Sequence, residues 1–129
     1  MILKVNDKFL MVKNENDSRF KHPGGHVNLS ESIPEALSRE LKEELGIVFS
    51  NLPKEPEFFD KVLHEDNIMI NSYFTMEIGD QLAISIINQS PLIARMFRYT
   101  ELTDEITYES EIRAIDILSQ SSAPNLPSK

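Results

Sequence analysis

A chain of 129 residues with 40% apolar and 26% charged side chains has material for one hydrophobic core, and its composition is that of a soluble globular domain. The absence of cysteine excludes disulfides and thiolate metal sites, and it fits a reducing compartment. The net charge of −8 argues against a duplex nucleic-acid partner, because neutralising phosphates needs the opposite sign, but it leaves small phosphorylated ligands open, since a bound metal reverses the sign locally.

In chain order, Ile2–Val5 and Phe9–Lys13 alternate apolar and polar residues around Asn6-Asp7-Lys8, which predicts a β-hairpin with a tight turn. The start of the chain turns polar too soon for a signal peptide, and no apolar run reaches the ~18–20 residues of a membrane helix. Asn14–Lys21 reads as loop, and His22-Pro23-Gly24-Gly25 punctuates it. A helix is predicted from Ser32 to Leu45. Ser32 and Glu35 form a capping-box pattern, Pro34 falls in the first turn where a missing N–H costs nothing, and Gly46 suits a left-handed C-terminal cap.

Glu57–His64 and Asn67–Ile78, rich in aromatic and β-branched residues, predict two paired strands. Leu82–Ile87 and Ile93–Tyr99 are weaker strand candidates on either side of Ser90-Pro91. Tyr108–Leu118, with Ile112, Ile115 and Leu118 at helical spacing, predicts a second helix. Residues 119–129 read as a disordered tail, leaving one domain over residues 1–118 without internal repeats. Strands, helix, strands, helix is the order of an α/β domain in which helices pack on a mixed sheet.

The chemistry concentrates between Gly25 and Ile47. On a wheel of ~100° per residue with Ile33 at zero, Ile33, Leu37, Leu41 and Leu45 occupy roughly 0° to 120°. Glu40 then falls near about 340°, Glu43 near about 280° and Glu44 near about 20°. Glu44 therefore lies inside the apolar sector and Glu40 at its edge, where a solvated acidic face would not be.

Glu43 and Glu44 also sit in the last turn, where the helix dipole disfavours anions by ~0.3–1 kcal/mol each, and Glu40 and Glu44 repel at i,i+4. A positive charge among the three carboxylates would resolve these conflicts. All-oxygen ligands point to a hard ion, Mg²⁺ or alternatively Mn²⁺. Such an ion bridges phosphate oxygens and lowers the pKa of a bound water, so the reaction class is metal-assisted hydrolysis of a phosphoanhydride. Gly24-Gly25 lets backbone approach an ion or phosphate closely.

Other residues carry weaker signals. Lys13 and Arg19 are candidates to reach substrate phosphates, weighed against solvated positions at a strand end and in a loop. His26 follows the glycine pair and is a candidate to line the site, although His22, His26 and His64 have no metal-ligand spacing. Phe58, Phe59, Tyr73 and Phe74 suit the core better than base stacking. Ser30 and Ser32 have no His–Asp pattern beside them, which speaks against a serine nucleophile.

These residues carry a specific resemblance. The Nudix box is Gly, five residues, Glu, seven residues, then Arg-Glu-apolar-any-Glu-Glu-any-Gly-apolar. The chain fills every specified position with Gly25, Glu31 and the run Arg39-Glu40-Leu41-Lys42-Glu43-Glu44-Leu45-Gly46-Ile47. From average residue usage a chain this long would match by chance about once in 10⁷–10⁸ sequences. Phe20-Lys21-His22-Pro23-Gly24-Gly25 resembles the family's aromatic-x-Leu-Pro-Gly-Gly approach, with Phe20 and His22 as departures. Phe97–Leu102 resembles its C-terminal aromatic segment.

The resemblance implies the Nudix fold, an α/β/α sandwich around a mixed β-sheet. It implies that Glu40, Glu43 and Glu44 hold metal with the Gly24 carbonyl, that Arg39 orients the glutamates through a salt bridge, and that Glu31 supports the loop or the metal shell. Further on, Glu101, Asp104, Glu105 and Glu109 are equal candidates for an additional acid. The implied enzyme is a cytoplasmic pyrophosphohydrolase, and a homodimer is allowed on family grounds. Its expected substrate is a small nucleotide-like molecule, by default a nucleoside or deoxynucleoside triphosphate or another nucleoside diphosphate derivative. The rival readings are a non-catalytic nucleotide-sensing or protein-binding module and a pyrophosphohydrolase of RNA 5′ ends.

Overall fold

A computed structural model describes residues 1–122. Strands β1 (Ile2–Val5) and β2 (Lys8–Lys13) form the expected antiparallel hairpin, with Leu3 opposite Leu10 and Val5 opposite Lys8. The turn is Asn6-Asp7. Asn6 takes φ +58°, a left-handed conformation that asparagine tolerates better than most residues. β2 is buried on both faces. Leu10 and Val12 enter one apolar cluster and Phe9 and Met11 the other, so this strand is the septum between two cores.

Helix α1 (Ile33–Leu45) starts and stops where its caps dictate. Ser32 Oγ accepts from Glu35 N, the Glu35 carboxylate accepts from Ser32 N, and Gly46 closes the helix at φ +74°. Ala36, Leu37, Leu41 and Leu45 are buried. Ile33, in the first turn, is 39% exposed, and Ala36, one turn on, is the buried residue at the start of the stripe.

The segment expected as one strand over Asn67–Ile78 is divided at Phe74. β3 (Phe58–His64) pairs antiparallel with β4 (Asn67–Tyr73), whereas β5 (Thr75–Glu77) pairs parallel with β1. The Phe74 carbonyl accepts from Ile2 N at 2.7 Å and the Tyr73 carbonyl from Glu57 N at 2.7 Å, so adjacent peptides serve different sheets. Tyr73 and Phe74 correspondingly enter opposite cores.

Leu82–Ile87, expected as a strand, lies inside helix α2 (Asp80–Gln89). A strand would bury Ile84 and Ile86 on one side. Instead Ala83 and Ile86 are buried and Ile84 is 52% exposed, the three-residue spacing of a helix overriding the β-branched composition. β6 (Ile93–Arg98) pairs antiparallel with β2 and gives a mixed sheet in the order β5-β1-β2-β6. A short 3₁₀ turn (Tyr99–Glu101) follows.

Helix α3 (Glu109–Ser122) continues past the expected end at Leu118; residues 123–129 of the expected tail lie outside the described residues. Residues of α1 and α2 pack in the core on one face of β1 and β2, and Ala114 and Ile115 of α3 pack in the other, which is the α/β/α arrangement. Arg113 pairs with the buried Asp60 at 3.0 Å, tying α3 to β3.

Candidate active site

Helix α1 presents its acids as the wheel requires. The side chains of Glu40 and Glu44, one turn apart, are 17% and 13% exposed, whereas Glu43 is 53% exposed. What covers Glu40 and Glu44 is the segment Lys21–Gly25. Its entry is fixed by a two-way backbone bridge between Lys21 and Val12, both hydrogen bonds 2.8 Å long. The Met1 nitrogen donates to the Pro23 carbonyl at 2.7 Å.

The two glycines do different things. Gly24 adopts φ +141°, a conformation that residues with a side chain rarely adopt, and its N–H donates to Glu44 Oε1 at 2.8 Å. A Cβ at Gly25 would stand 2.5 Å from Glu40 Cδ and 2.6 and 2.7 Å from its oxygens, so the missing side chain is the space that the Glu40 carboxylate occupies.

Two cations serve the carboxylates. Arg39 grips Glu31 with two bonds (Nε–Oε2 2.6 Å, Nη2–Oε1 3.0 Å) and donates through Nη1 to Glu40 at 2.8 Å and Glu43 at 3.0 Å. Its Nη2 also reaches the His26 carbonyl at 2.9 Å, pinning the loop to the helix. The guanidinium, followed by the Asn28 N–H, holds the Glu31 carboxyl below its ordinary range; the carboxylates push Arg39 further up, so it stays charged. Lys21 serves Glu44: its Nζ lies 3.1 Å from Glu44 Oε2 and 3.0 Å from the Gly24 carbonyl oxygen.

Beside this segment opens a cavity of about 610 Å³, lined by Lys21–Val27 on one side and by Val62, Met69–Tyr73 and Glu111 on the other. The glutamates of α1 do not line it; Lys21, Gly24 and Gly25, which touch them, form the shared wall. Helix α3 closes the far end. The Glu111 carboxylate accepts from His22 N at 2.9 Å, and its backbone carbonyl stands 3.1 Å from His22 Nε2, so that nitrogen carries the proton. Burial pushes the His22 imidazole down, with Glu111 opposing, and favours the neutral ring.

The expected residues divide accordingly. Gly24, Gly25, Arg39, Glu40 and Glu44 are brought into contact, Glu43 joins through Arg39, and His26 lines the cavity. Lys13 and Arg19 do not line it: Lys13 donates to the Asp17 carbonyl at 3.1 Å, and Arg19 lies over the Tyr108 ring at 5.2 Å. Glu101 caps the 3₁₀ turn through Arg98 N, and Asp104, Glu105 and Glu109 are exposed.

The acid that reaches the cavity is Glu111, which sequence reasoning missed. It stands one turn before the buried Ala114 and Ile115, so the wheel argument applied to Glu44 would have found it. Lys21 was missed as well. Its one sequence signal is its place three residues before Gly24.

Among the described residues no three His, Asp or Glu side chains converge on one point. The donors nevertheless fit a hard cation. They are oxygens only, and one pair of them, Gly24 O and Glu44 Oε2, already shares a positive charge in the Lys21 ammonium.

A family model described as the NUDIX domain matches residues 1–113. A stretch of 53 residues, 41% of this chain and 21% of the relative, is 43% identical to mRNA-decapping protein OPG122 of Variola virus. Another of 50 residues, 36% of this chain and 30% of the relative, is 38% identical to ADP-ribose pyrophosphatase of Methanocaldococcus jannaschii. These matches span less than a third of either relative's own length. The fold resembles the crystal structure of C. elegans Ap4A hydrolase with a TM-score of 0.68 over 93% of this chain and 92% of that one, at 14% identity.

Proposed function

The chain belongs to the NUDIX domain family, and from that premise we propose that it is a metal-dependent pyrophosphohydrolase cleaving a diphosphate linkage in a small nucleotide-type substrate. The observation that carries the reading is the contact of Glu40 and Glu44 with the Gly24-Gly25 segment, at the wall of a cavity of about 610 Å³. That volume suits a single small ligand. Family members generally use a divalent metal. Glu40, Glu43, Glu44 and the Gly24 carbonyl are the groups that would hold Mg²⁺, or Mn²⁺ in its place. When bound, the ion supplies charge neutralisation at phosphorus and a water of lowered pKa.

The protein's own part is positioning. Arg39 holds Glu31, Glu40 and Glu43 in one arrangement, and the Gly24 N–H orients Glu44. Gly25 and His26 line the cavity that takes the substrate, whereas Lys13 and Arg19 are occupied elsewhere. A nucleoside or deoxynucleoside triphosphate, or another nucleoside diphosphate derivative, is the substrate class we assign.

The stretch shared with the viral decapping protein favours a second reading, hydrolysis at RNA 5′ ends, with the net charge of −8 limiting contact to a terminal nucleotide. Among the described residues no helix is long and apolar enough to cross a membrane. A cytoplasmic location belongs to the same proposal. So does a homodimer, for which the exposed Phe59, Leu63, Ile68 and Ile70 of the β3–β4 pair offer an apolar face.

The test is release of phosphate and pyrophosphate with Mg²⁺. The panel covers NTPs, dNTPs, ADP-ribose, nucleotide sugars, dinucleoside polyphosphates and 5′-triphosphate or capped RNA, with Glu44→Gln in parallel. Turnover of one class that collapses in the variant is the expected result. Equal silence from both proteins would replace the enzyme by a nucleotide-sensing module.

A further inference from the structure

We propose that Lys21 is a built-in counter-cation of the carboxylate site, which a divalent ion displaces and which then serves a substrate phosphate in the adjoining cavity. The inference rests on reading Gly24 and Glu44 as ligands of that ion.

Glu44 is a largely covered carboxylate, and such a group needs a positive partner. Arg39 does not supply it, its bonds going to Glu31, Glu40, Glu43 and the His26 carbonyl. The partner is Lys21, whose ammonium sits on Glu44 Oε2 and Gly24 O together, while Glu44 Oε1 is taken by the Gly24 N–H. The ammonium thus occupies a carbonyl and a carboxylate oxygen of the very set that would hold the ion. A compact +1 charge and a +2 ion on the same two oxygens repel, and the stronger cation prevails.

The displaced ammonium has a place to go. The Lys21 backbone is fixed to Val12, but its stem is flexible and its side chain is 33% exposed. Lys21 lines the cavity, and among the described residues it is the one Lys or Arg that does; Glu111 is the one Asp or Glu. Met1 also lines the wall, but its amino group already donates to the Pro23 carbonyl, so Lys21 is the Lys or Arg side chain that a phosphate chain in the cavity would find among the described residues. Ion binding and phosphate binding are then coupled: the ion frees Lys21 for the phosphate, and the phosphate draws Lys21 off the ion's ligands, each favouring the other by the same factor.

The test compares wild type with Lys21→Met, which keeps the stem and removes the charge. Mn²⁺ is titrated by calorimetry without substrate, and methylenediphosphonate, a non-hydrolysable diphosphate, is titrated into Mn²⁺-saturated protein. The variant should bind Mn²⁺ at least about tenfold more tightly. It should bind the diphosphonate about tenfold more weakly, having lost a charge-assisted contact. Unchanged or weaker Mn²⁺ binding overturns the displacement, and unchanged diphosphonate binding overturns the handover.

Should the variant not fold, ¹⁵N-lysine NMR of the wild-type ammonium group gives the same answer. Mg²⁺ should shift the Lys21 signal and speed its exchange with water, and an unaltered signal sinks the idea. Wild type that takes up no metal would instead bring down the metal-dependent function itself. Metal uptake by wild type without tightening in Lys21→Met removes only the role of Lys21.

Discussion

Gly24 and Gly25 are neighbours with unrelated reasons for lacking a side chain, and substitution should separate them. Gly25→Ala puts a Cβ into the space of the Glu40 carboxylate, the far end of a flexible side chain that can swing aside. The fold should survive while Glu40 loses its place, so activity on whichever substrate the screen identifies should fall at least about tenfold, the scale of other losses of site geometry. Gly24→Ala meets no close atom but must hold φ +141°, so its cost is strain, about 1–3 kcal/mol of stability. Urea melts and turnover of the two variants, measured side by side, check the contrast. A stability loss in Gly25→Ala matching that of Gly24→Ala would contradict it.

Helix α1 has its limits set by its cap residues, and its capping box makes a prediction about pH. Hydrogen bonds from the Ser32 N–H, then from its hydroxyl, hold the Glu35 carboxyl below its ordinary 4.5. The folded state therefore binds that proton less readily than the unfolded chain. The stabilisation is fully present above the unfolded value and is lost as pH falls below 4.5 through the folded one. Glu35→Gln should be less stable than wild type at neutral pH, and the difference should close as pH falls from 4.5 through the folded carboxyl's lowered range. Denaturant titrations across that range check it; a difference independent of pH would assign the effect to helix propensity. Helix α2 is the contrasting case. Nothing local announces its start, since Gly79 offers no side-chain cap, and it is the core's demand for Ala83 and Ile86 that decides it.

Across the described residues, two cores and three helices together hold one segment still. The segment Lys21–Gly25 is gripped from β2 through Val12, from α1 through Glu44, and from α3 through Glu111. Glu111→Ala leaves the covered His22 N–H without its acceptor, at a cost of about 1–3 kcal/mol. It should also loosen the segment, so amide hydrogen exchange at His22 and Gly24 should quicken relative to Leu41, which lies in the α1 core. Equal protection in the variant and wild type would show that α3 does not brace the site.

The sequence by itself determined what depends on neighbours along the chain. The limits of α1 follow from Ser32, Glu35 and Gly46; the first hairpin follows from its turn; the burial of Glu40 and Glu44 follows from a 3.6-residue period. These are local properties, and i to i+4 geometry is the same in any protein. Only the tertiary structure decided that the strand expected over Asn67–Ile78 splits at Phe74, that Leu82–Ile87 is helical, and that Lys21 and Glu111, rather than Lys13 or Glu101, stand at the cavity. The split follows from the hydrogen bonds of the Tyr73 and Phe74 carbonyls to Glu57 and Ile2, the helix from the core burial of Ala83 and Ile86, and the cavity residues from pairs of distant residues, Lys21 with Glu44 and His22 with Glu111, that exist only once the helices have docked on the sheet. Many charged side chains could make such a pair, and docking geometry, which no short stretch of sequence encodes, selects among them.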